Sequence, residues 1–161
     1  MTPKNTLKII KIMATKFFLC TTCGNVVVKV INSGVKLHCC GKEMLELTPG
    51  TADGAMEKHV PVVEWLDERN ILVKVGSKEH PMTEEHHIVF IYVETEHGGQ
   101  IRYLDPAGPA EAKFCVCKDK PVAVYEYCNL HGLWKTDMAD CQKEECSTQK
   151  GCGAKTGCRM K

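Results

Sequence analysis

The chain has 161 residues, of which 43% are hydrophobic and 25% charged, and its net charge is +1. This composition is typical of a globular protein, and so small a net charge argues against a nucleic-acid-binding surface. No apolar run approaches the roughly 20 residues that a membrane-spanning helix requires. We therefore expect a protein that binds neither membranes nor nucleic acids.

Eleven cysteines are the most informative feature of the composition. Lysines at positions 4, 8, 11 and 16 interrupt the apolar residues of the N-terminal segment, so the continuous apolar stretch of a signal peptide does not form. We therefore expect a cytoplasmic, reducing location. In such a compartment, cysteine clusters are more often metal ligands or redox groups than disulfides.

Residues 14–48 form the first predicted domain, after an N-terminal extension over residues 1–13 in which Met13 offers an alternative translation start. Two short β-like runs are predicted in this domain, over 26–31 and 35–39. Its four cysteines form two pairs with fifteen residues between them, Cys20 with Cys23 and Cys39 with Cys40.

Thiolates three residues apart at a tight turn can bind a single metal ion, and Gly24 lies where the backbone must turn sharply after Cys23. The contiguous second pair must bend its side chains towards one point, which predicts a distorted tetrahedron. Zinc and iron both suit four thiolates. One alternative is a zinc ion that only stabilises a domain too small for a sufficient core. Two disulfides are another alternative, which a reducing compartment disfavours.

Residues 49–56 are a linker by composition, since they contain a proline, two glycines and small polar residues. Residues 57–136 form the second predicted domain. Its β-branched and aromatic runs predict six strands, over 59–64, 71–75, 88–95, 100–104, 113–117 and 122–127. Several short strands at this spacing indicate an antiparallel sandwich. The polar tail, residues 137–161, contains four more cysteines, Cys141, Cys146, Cys152 and Cys158.

Four of the seven histidines lie at predicted strand ends or in loops, where a β-sandwich gathers ligands at one end of its sheets. These four are His59, His80, His86 and His131. Neutral imidazoles together with the nearby thiolate of Cys128 suit a borderline metal such as iron. Four nitrogens could form an equatorial plane with the thiolate axial and one axial position open. The remaining histidines are expected to be bystanders: His38, His87 and His97.

The turn between Cys128 and His131 allows a second interpretation. A thiol and an imidazole three residues apart are also compatible with a Cys–His nucleophilic pair, but that interpretation leaves three histidines unexplained. If the thiolate binds a metal, the amides of Leu130 and His131 can donate hydrogen bonds to its sulfur and tune the reduction potential. An axial thiolate is also a strong electron donor to whatever binds opposite it.

Glu57 and Lys58 immediately precede His59 and have two possible interpretations. They are either ordinary surface charges or part of the site. Beside an open iron position, Lys58 would concentrate a small anion and stabilise the negative charge that develops there. Glu57 could occupy the sixth position when substrate is absent.

The order and spacing of these motifs resemble the desulfoferrodoxins, the two-iron class of superoxide reductases, over about residues 14–136. The pattern C-x2-C-x15-C-C is similar to the desulforedoxin-type iron site of that class. The segments EKHVP at 57–61, HPMTEEH at 80–86 and CNLHGLWK at 128–135 resemble those that hold its active-site iron. Four separate motifs in the right order make the resemblance specific.

The resemblance implies a mostly β chain, with a small desulforedoxin-like metal-knuckle domain followed by an immunoglobulin-like antiparallel β-sandwich. It implies two iron ions, one bound by four cysteines and one by four equatorial histidines with Cys128 axial. Lys58 would attract superoxide, and Glu57 would bind the ferric resting form. The implied reaction is one-electron reduction of superoxide to hydrogen peroxide, with electrons from a rubredoxin-like donor, in a cytoplasmic homodimer.

Two features depart from the family pattern. Cys115 and Cys117 share a face of one predicted strand, and we expect them to be buried or idle thiols. The tail cysteines have spacings that match no dependable metal-binding motif. Two other functions stay open from the sequence, a rubredoxin-like electron carrier with a degenerate second site and a zinc-stabilised binding module without redox catalysis.

Overall fold

The computed structural model describes residues 15–117 and 119–138. The predicted extension over 1–13, the alternative start Met13 and the four tail cysteines lie outside the described residues. Within these ranges the chain forms twelve strands and a single helical turn, which confirms the mostly β fold class. No helix in the described part of the chain is long and apolar enough to cross a membrane.

The N-terminal unit surrounds the first cysteine motif. Its strands are β1 (Lys16–Leu19), β2 (Val26–Lys29), β3 (His38–Cys39), β4 (Lys42–Glu43) and β5 (Leu45–Leu47). Strands β2, β1 and β5 form an antiparallel sheet in that order, and β3 pairs with β4. The predicted run over 26–31 ends early, and most of the run over 35–39 is wrong. Val30 and Val35 are exposed there and lie outside every strand of the described chain, so no neighbouring strand supports an extended conformation.

A helical turn, α1 (Met56–His59), leads into a two-sheet sandwich. Its strands are β6 (Pro61–Trp65), β7 (Asn70–Val75), β8 (Ile88–Thr95), β9 (Gly98–Tyr103), β10 (Glu111–Cys115), β11 (Pro121–Cys128) and β12 (Gly132–Asp137). The sheet orders are β10-β7-β6 and β12-β11-β8-β9, with antiparallel pairing throughout. Seven antiparallel strands divided four and three are the arrangement of immunoglobulin constant-type sandwiches.

The predicted strands of the sandwich are confirmed with shifts at their ends, and β8 has the predicted bounds. The prediction that His59 opens a strand is wrong, because the amide of Val60 donates to the carbonyl of Met56 and closes a helical turn. The strand starts only at Pro61, whose missing N–H suits the first position of an edge strand. Strand β12 was not predicted, and Cys117 lies beyond the end of β10.

Both faces of the four-stranded sheet are covered. On one face, Ile91 and Val124 belong to the main core, together with Val73 of the opposite sheet. On the other face, the ring of Phe17 from β1 lies 5.2 Å from the ring of Tyr125, measured between centroids. Because Phe17 is fully buried, this contact anchors the N-terminal unit on the outside of the sandwich.

Candidate metal centres

Five predicted ligands come together at one end of the sandwich. His59 comes from α1, His80 and His86 from the connection between β7 and β8, Cys128 from the end of β11, and His131 from the turn before β12. Their potential ligand atoms all lie within 4.8 Å of one another. We call these five residues the His4Cys group.

The four imidazoles of this group form a closed ring. Ring centroids of neighbours lie 4.6 to 4.8 Å apart in the order His59, His80, His86, His131, and neighbouring planes make angles of 71° to 79°. The Nε2 atom of His59 lies 3.2 Å from Nε2 of His80 and 3.0 Å from Nδ1 of His131. Two nitrogens at right angles on metal bonds of about 2.1 Å would be about 3.0 Å apart, so these nitrogens fit an equatorial plane.

Hydrogen bonds to the outer ring nitrogens decide which atoms face the centre. Nδ1 of His59 donates to the carbonyl of Ala55 at 2.8 Å, and Nδ1 of His80 donates to the carbonyl of Pro81 at 2.6 Å. Each bond leaves Nε2 without a proton and free to bind a metal. Nε2 of His86 is buried and has no hydrogen-bond partner in the described chain, as expected for an atom that binds a metal.

The Cys128 sulfur completes the group. It lies 3.6 Å from Nε2 of His80 and 3.6 Å from Nδ1 of His131, and the residue is fully buried. Burial raises the pKa of this thiol, whereas hydrogen bonds from the amides of Leu130 and His131 lower it. Burial is the larger effect, so the pKa of the thiol is raised overall, while the nearby amides favour the thiolate form that binds metals.

Three histidines of the group are held in their neutral, metal-binding form. Burial lowers the pKa of His80 to about 4, and the neighbouring imidazoles add to this shift. Burial also lowers the pKa of His59 and His86, with further contributions from His131 and from the positive charge of Lys58. A soft thiolate with four neutral imidazoles is a donor set that fits iron.

Two residues that the sequence did not indicate hold His59 in place. Trp134 stacks on the imidazole with ring centroids 4.9 Å apart, and its Nε1–H donates to the carbonyl of His131 at 3.0 Å. Gly54 lies against both stacked rings, since a Cβ on it would lie 3.0 Å from Cζ2 of Trp134 and 3.2 Å from Cε1 of His59. The predicted linker over 49–56 therefore packs directly against the site.

The charged pair on α1 lies beside the His4Cys group but outside its set of potential ligand atoms. The carboxylate of Glu57 is 3.6 Å from the ammonium of Lys78, and its backbone carbonyl accepts a hydrogen bond from the Lys78 amide at 2.8 Å. Lys58 is exposed, and its positive charge contributes to the lowered pKa of His59 and His86. Gly76 packs so closely on the Lys58 carbonyl that a Cβ would lie 2.7 Å from it.

The four predicted cysteines of the N-terminal unit also come together, with all sulfurs within 4.8 Å of one another. We call them the four-cysteine group. The sulfur of Cys39 lies 3.6 Å from that of Cys23 and 3.9 Å from that of Cys40. Sulfurs at the corners of a tetrahedron with metal bonds of about 2.3 Å would be about 3.8 Å apart.

Backbone turns shape this second group. Gly24 has φ of +79° and Cys40 has φ of +51°, which confirms the predicted sharp turn and lets the contiguous pair converge. Backbone hydrogen bonds from Cys23 and Thr22 lower the pKa of Cys20 to about 6, while hydrogen bonding to the neighbouring thiols raises that of Cys40 to about 12. Because the neighbouring thiols oppose deprotonation of Cys40, a bound metal cation is needed for all four cysteines to be thiolates at once.

Residues expected to be bystanders lie outside both groups: His38, His87, His97, Cys115 and Cys117. Nδ1 of His97 lies 2.9 Å from the carboxylate of Asp119. Cys115 and Cys117 are exposed, so the expectation that they are buried is wrong, and an idle role stays a prediction.

Comparison with known proteins supports the same pattern. The desulfoferrodoxin family model matches residues 51–137. The chain is 43% identical over 122 residues to a desulfoferrodoxin of Nitratidesulfovibrio vulgaris, a match that covers 76% of this chain and 95% of that protein. It is 37% identical over 113 residues to a superoxide reductase of Pyrococcus horikoshii, covering 59% of this chain and 97% of that protein. The crystal structure of the superoxide reductase from Treponema pallidum superimposes with a TM-score of 0.64 at 33% identity, covering 76% of this chain and 97% of that chain.

The residues matched by the family model include every member of the His4Cys group. The four-cysteine group lies ahead of them, and the two groups together match the two-iron desulfoferrodoxin arrangement. The chain belongs to the desulfoferrodoxin family.

Proposed function

We propose that this chain is a superoxide reductase, which reduces superoxide to hydrogen peroxide with one electron and two protons. The observation that carries the proposal is the His4Cys group, a closed ring of four imidazoles with a buried thiol beside it. A protein named superoxide reductase is among the relatives of the chain. The electron-carrier alternative requires a degenerate second site, whereas all five ligand positions are present.

In this proposal the metal ligands are His59, His80, His86, His131 and Cys128 for one iron, and Cys20, Cys23, Cys39 and Cys40 for the other. A ferrous ion in the His4Cys group would supply the electron. The chain holds His59 and His80 through backbone carbonyls, which fixes each ring in the orientation and tautomer that a metal requires. The amides of Leu130 and His131 lower the pKa of the buried Cys128 thiol and so favour the electron-rich thiolate that an iron ion would bind.

Lys58 and Glu57 are the proposed charged residues of the reaction. Lys58 is exposed on α1 next to His59, where a positive charge would raise the local concentration of superoxide and stabilise developing negative charge. Glu57 would bind the metal in the resting state. To do so its carboxylate must leave Lys78, and their exposed ion pair at 3.6 Å is weak enough to allow this.

We also propose the finer organisation of the molecule. The N-terminal unit, residues 14–48, would act as a secondary iron centre that receives electrons from a rubredoxin-like donor, and residues 57–136 would form the catalytic domain. A groove of about 750 Å³ lies between the two, lined in part by Val28, Ile101 and the exposed Tyr103. This apolar surface supports assembly into a homodimer. The four-cysteine group supports a cytoplasmic location, because a reducing compartment keeps cysteines available as metal ligands.

The stoichiometry of the reaction tests the proposal. Purified protein is supplied with superoxide and an excess of reductant, and peroxide and dioxygen are both measured. We expect one peroxide for each superoxide consumed and no dioxygen, because a reductase takes the one electron that each superoxide needs from the reductant and not from a second superoxide. A dismutase would form one peroxide for every two superoxide ions and release dioxygen, and that result would overturn the proposal. A His97→Gln variant is the matched control, since this exposed histidine lies outside the site.

A further inference from the structure

Cys115 and Cys117 bring two thiols together on the surface. Both residues are exposed and lie outside both metal groups. Their sulfur atoms are 2.9 Å apart. A disulfide bond is about 2.05 Å long, so the two sulfurs need to approach by less than about 1 Å to form one.

The backbone holds the two thiols on the same side. Val116 between them is 2% exposed and belongs to the main core, which fixes the segment. Cys117 then has φ of +42°, a left-handed conformation that is strained for a residue with a Cβ. The amides of Val116 and Cys117 both donate to the carbonyl of Arg69, at 2.7 and 3.2 Å, and stabilise this conformation.

A cysteine with positive φ also occurs in the four-cysteine group. Among the described residues, Cys40 and Cys117 are the two non-glycine residues with positive φ. At Cys40 the left-handed conformation allows its thiol to meet the thiol of the adjacent Cys39. Such strained conformations persist where the surrounding structure fixes them, and they cluster at functional sites. The conformation of Cys117 therefore indicates that its contact with Cys115 is built into the fold.

The pair is distant from the His4Cys group. Cys115 is opposite Asn70 at the start of β7, whereas Val75 at the other end of β7 is opposite Pro61, which follows His59 by two residues. Five residues of strand separate the two ends by about 17 Å. Cys115 is the last residue of β10, an edge strand of its sheet, and Cys117 follows just beyond it, so a small oxidant has access to both exposed thiols.

We propose that Cys115 and Cys117 form a redox-active dithiol that hydrogen peroxide oxidises to an intramolecular disulfide. The thiolate of one cysteine attacks a peroxide oxygen, so that an S–O bond forms, the O–O bond breaks, and the leaving hydroxide takes a proton to become water. The second thiol attacks the resulting sulfenic sulfur, forming the S–S bond and releasing a second water. Two electrons and two protons pass from the dithiol to the peroxide. Hydrogen peroxide, the product of the proposed reaction, is a suitable oxidant.

Peptide mass spectrometry tests this proposal on the iron-loaded, full-length protein. Trypsin cleaves after Lys113 and Lys118, so that both cysteines fall in one short peptide, FCVCK. After hydrogen peroxide treatment and alkylation, we expect this peptide to carry no alkyl group. Its mass should be lower by two hydrogens than that of the reduced, unalkylated peptide. Dithiothreitol before alkylation should restore the doubly alkylated form. Because peroxide is added, the result does not depend on whether the chain makes peroxide itself.

Two results would overturn the proposal. One is a peptide that stays doubly alkylated after the peroxide treatment, and the other is a disulfide from either cysteine to a tail cysteine. A Cys117→Ser variant provides a second test, because sulfenic acid formed on Cys115 then has no neighbouring thiol and should be captured by dimedone. Unchanged visible absorption of both iron centres in this variant would show that it is folded. A variant with these spectra and no dimedone adduct would count against the mechanism.

Discussion

Replacement of Gly54 by alanine should weaken metal binding at the His4Cys group, because the added methyl has no space. Its Cβ would lie 3.0 Å from Cζ2 of Trp134 and 3.2 Å from Cε1 of His59, whereas carbon atoms in good contact are about 3.5–4.0 Å apart. Both rings are almost completely buried and stacked on each other, so the strain must displace His59 from its hydrogen bond with Ala55. Overpacking of this kind costs about 1–3 kcal/mol.

If this strain falls mainly on the bound state, iron affinity should decrease by about 5- to 150-fold. The assay is competition with a chelator, followed through loss of the visible absorption of the His4Cys iron. Gly98→Ala is the matched control, because a Cβ there would meet no atom within 4 Å. Equal iron affinity and equal unfolding free energy in the Gly54→Ala and Gly98→Ala variants would refute the packing argument.

Three further predictions test other parts of the structure. Cys128→Ser should abolish superoxide reduction while thermal unfolding remains cooperative, and retained activity would contradict the role of the thiolate as a ligand. Lys58→Ala should slow superoxide capture and reduce its dependence on ionic strength with iron still bound, and an unchanged rate constant at low ionic strength would remove the proposed role of Lys58. Phe17→Ala should lower the unfolding free energy by about 3–5 kcal/mol in denaturant titrations, since the ring is fully buried between the N-terminal unit and the sandwich. A loss below about 1 kcal/mol would contradict that anchoring role, because deletion of a buried aromatic ring from a close-packed site costs more.

The members of the two metal-binding candidate groups could be predicted from the sequence because cysteine and histidine have chemistry that few other residues share. Cys20 and Cys23 have a knuckle spacing, and Cys128 and His131 are close in the chain. Strand β8 could be predicted to the residue because its apolar run is long and clearly bounded. These patterns involve residues close together in the chain, so they can be recognised without knowledge of the fold.

The supporting residues could not be predicted, since their roles depend on contacts between distant segments. Gly54 belongs to a segment whose composition indicates a linker, and only the folded chain shows that it touches Trp134. The helical turn at His59 was missed because four residues are too few for a periodic pattern. Strand β12 was missed because its residues do not alternate between buried and exposed, since the adjacent Leu133 and Trp134 are both buried.

Visible absorption spectroscopy with metal analysis on the same sample tests the central claim most directly. We expect two iron ions per chain, thiolate-to-iron absorption from the four-cysteine group, and a separate band that appears on mild oxidation. The separate band should be absent in the Cys128→Ser variant, because it arises from the thiolate of the His4Cys group. A colourless protein that contains zinc, does not respond to oxidation and gains no bands on reconstitution with iron would contradict the account.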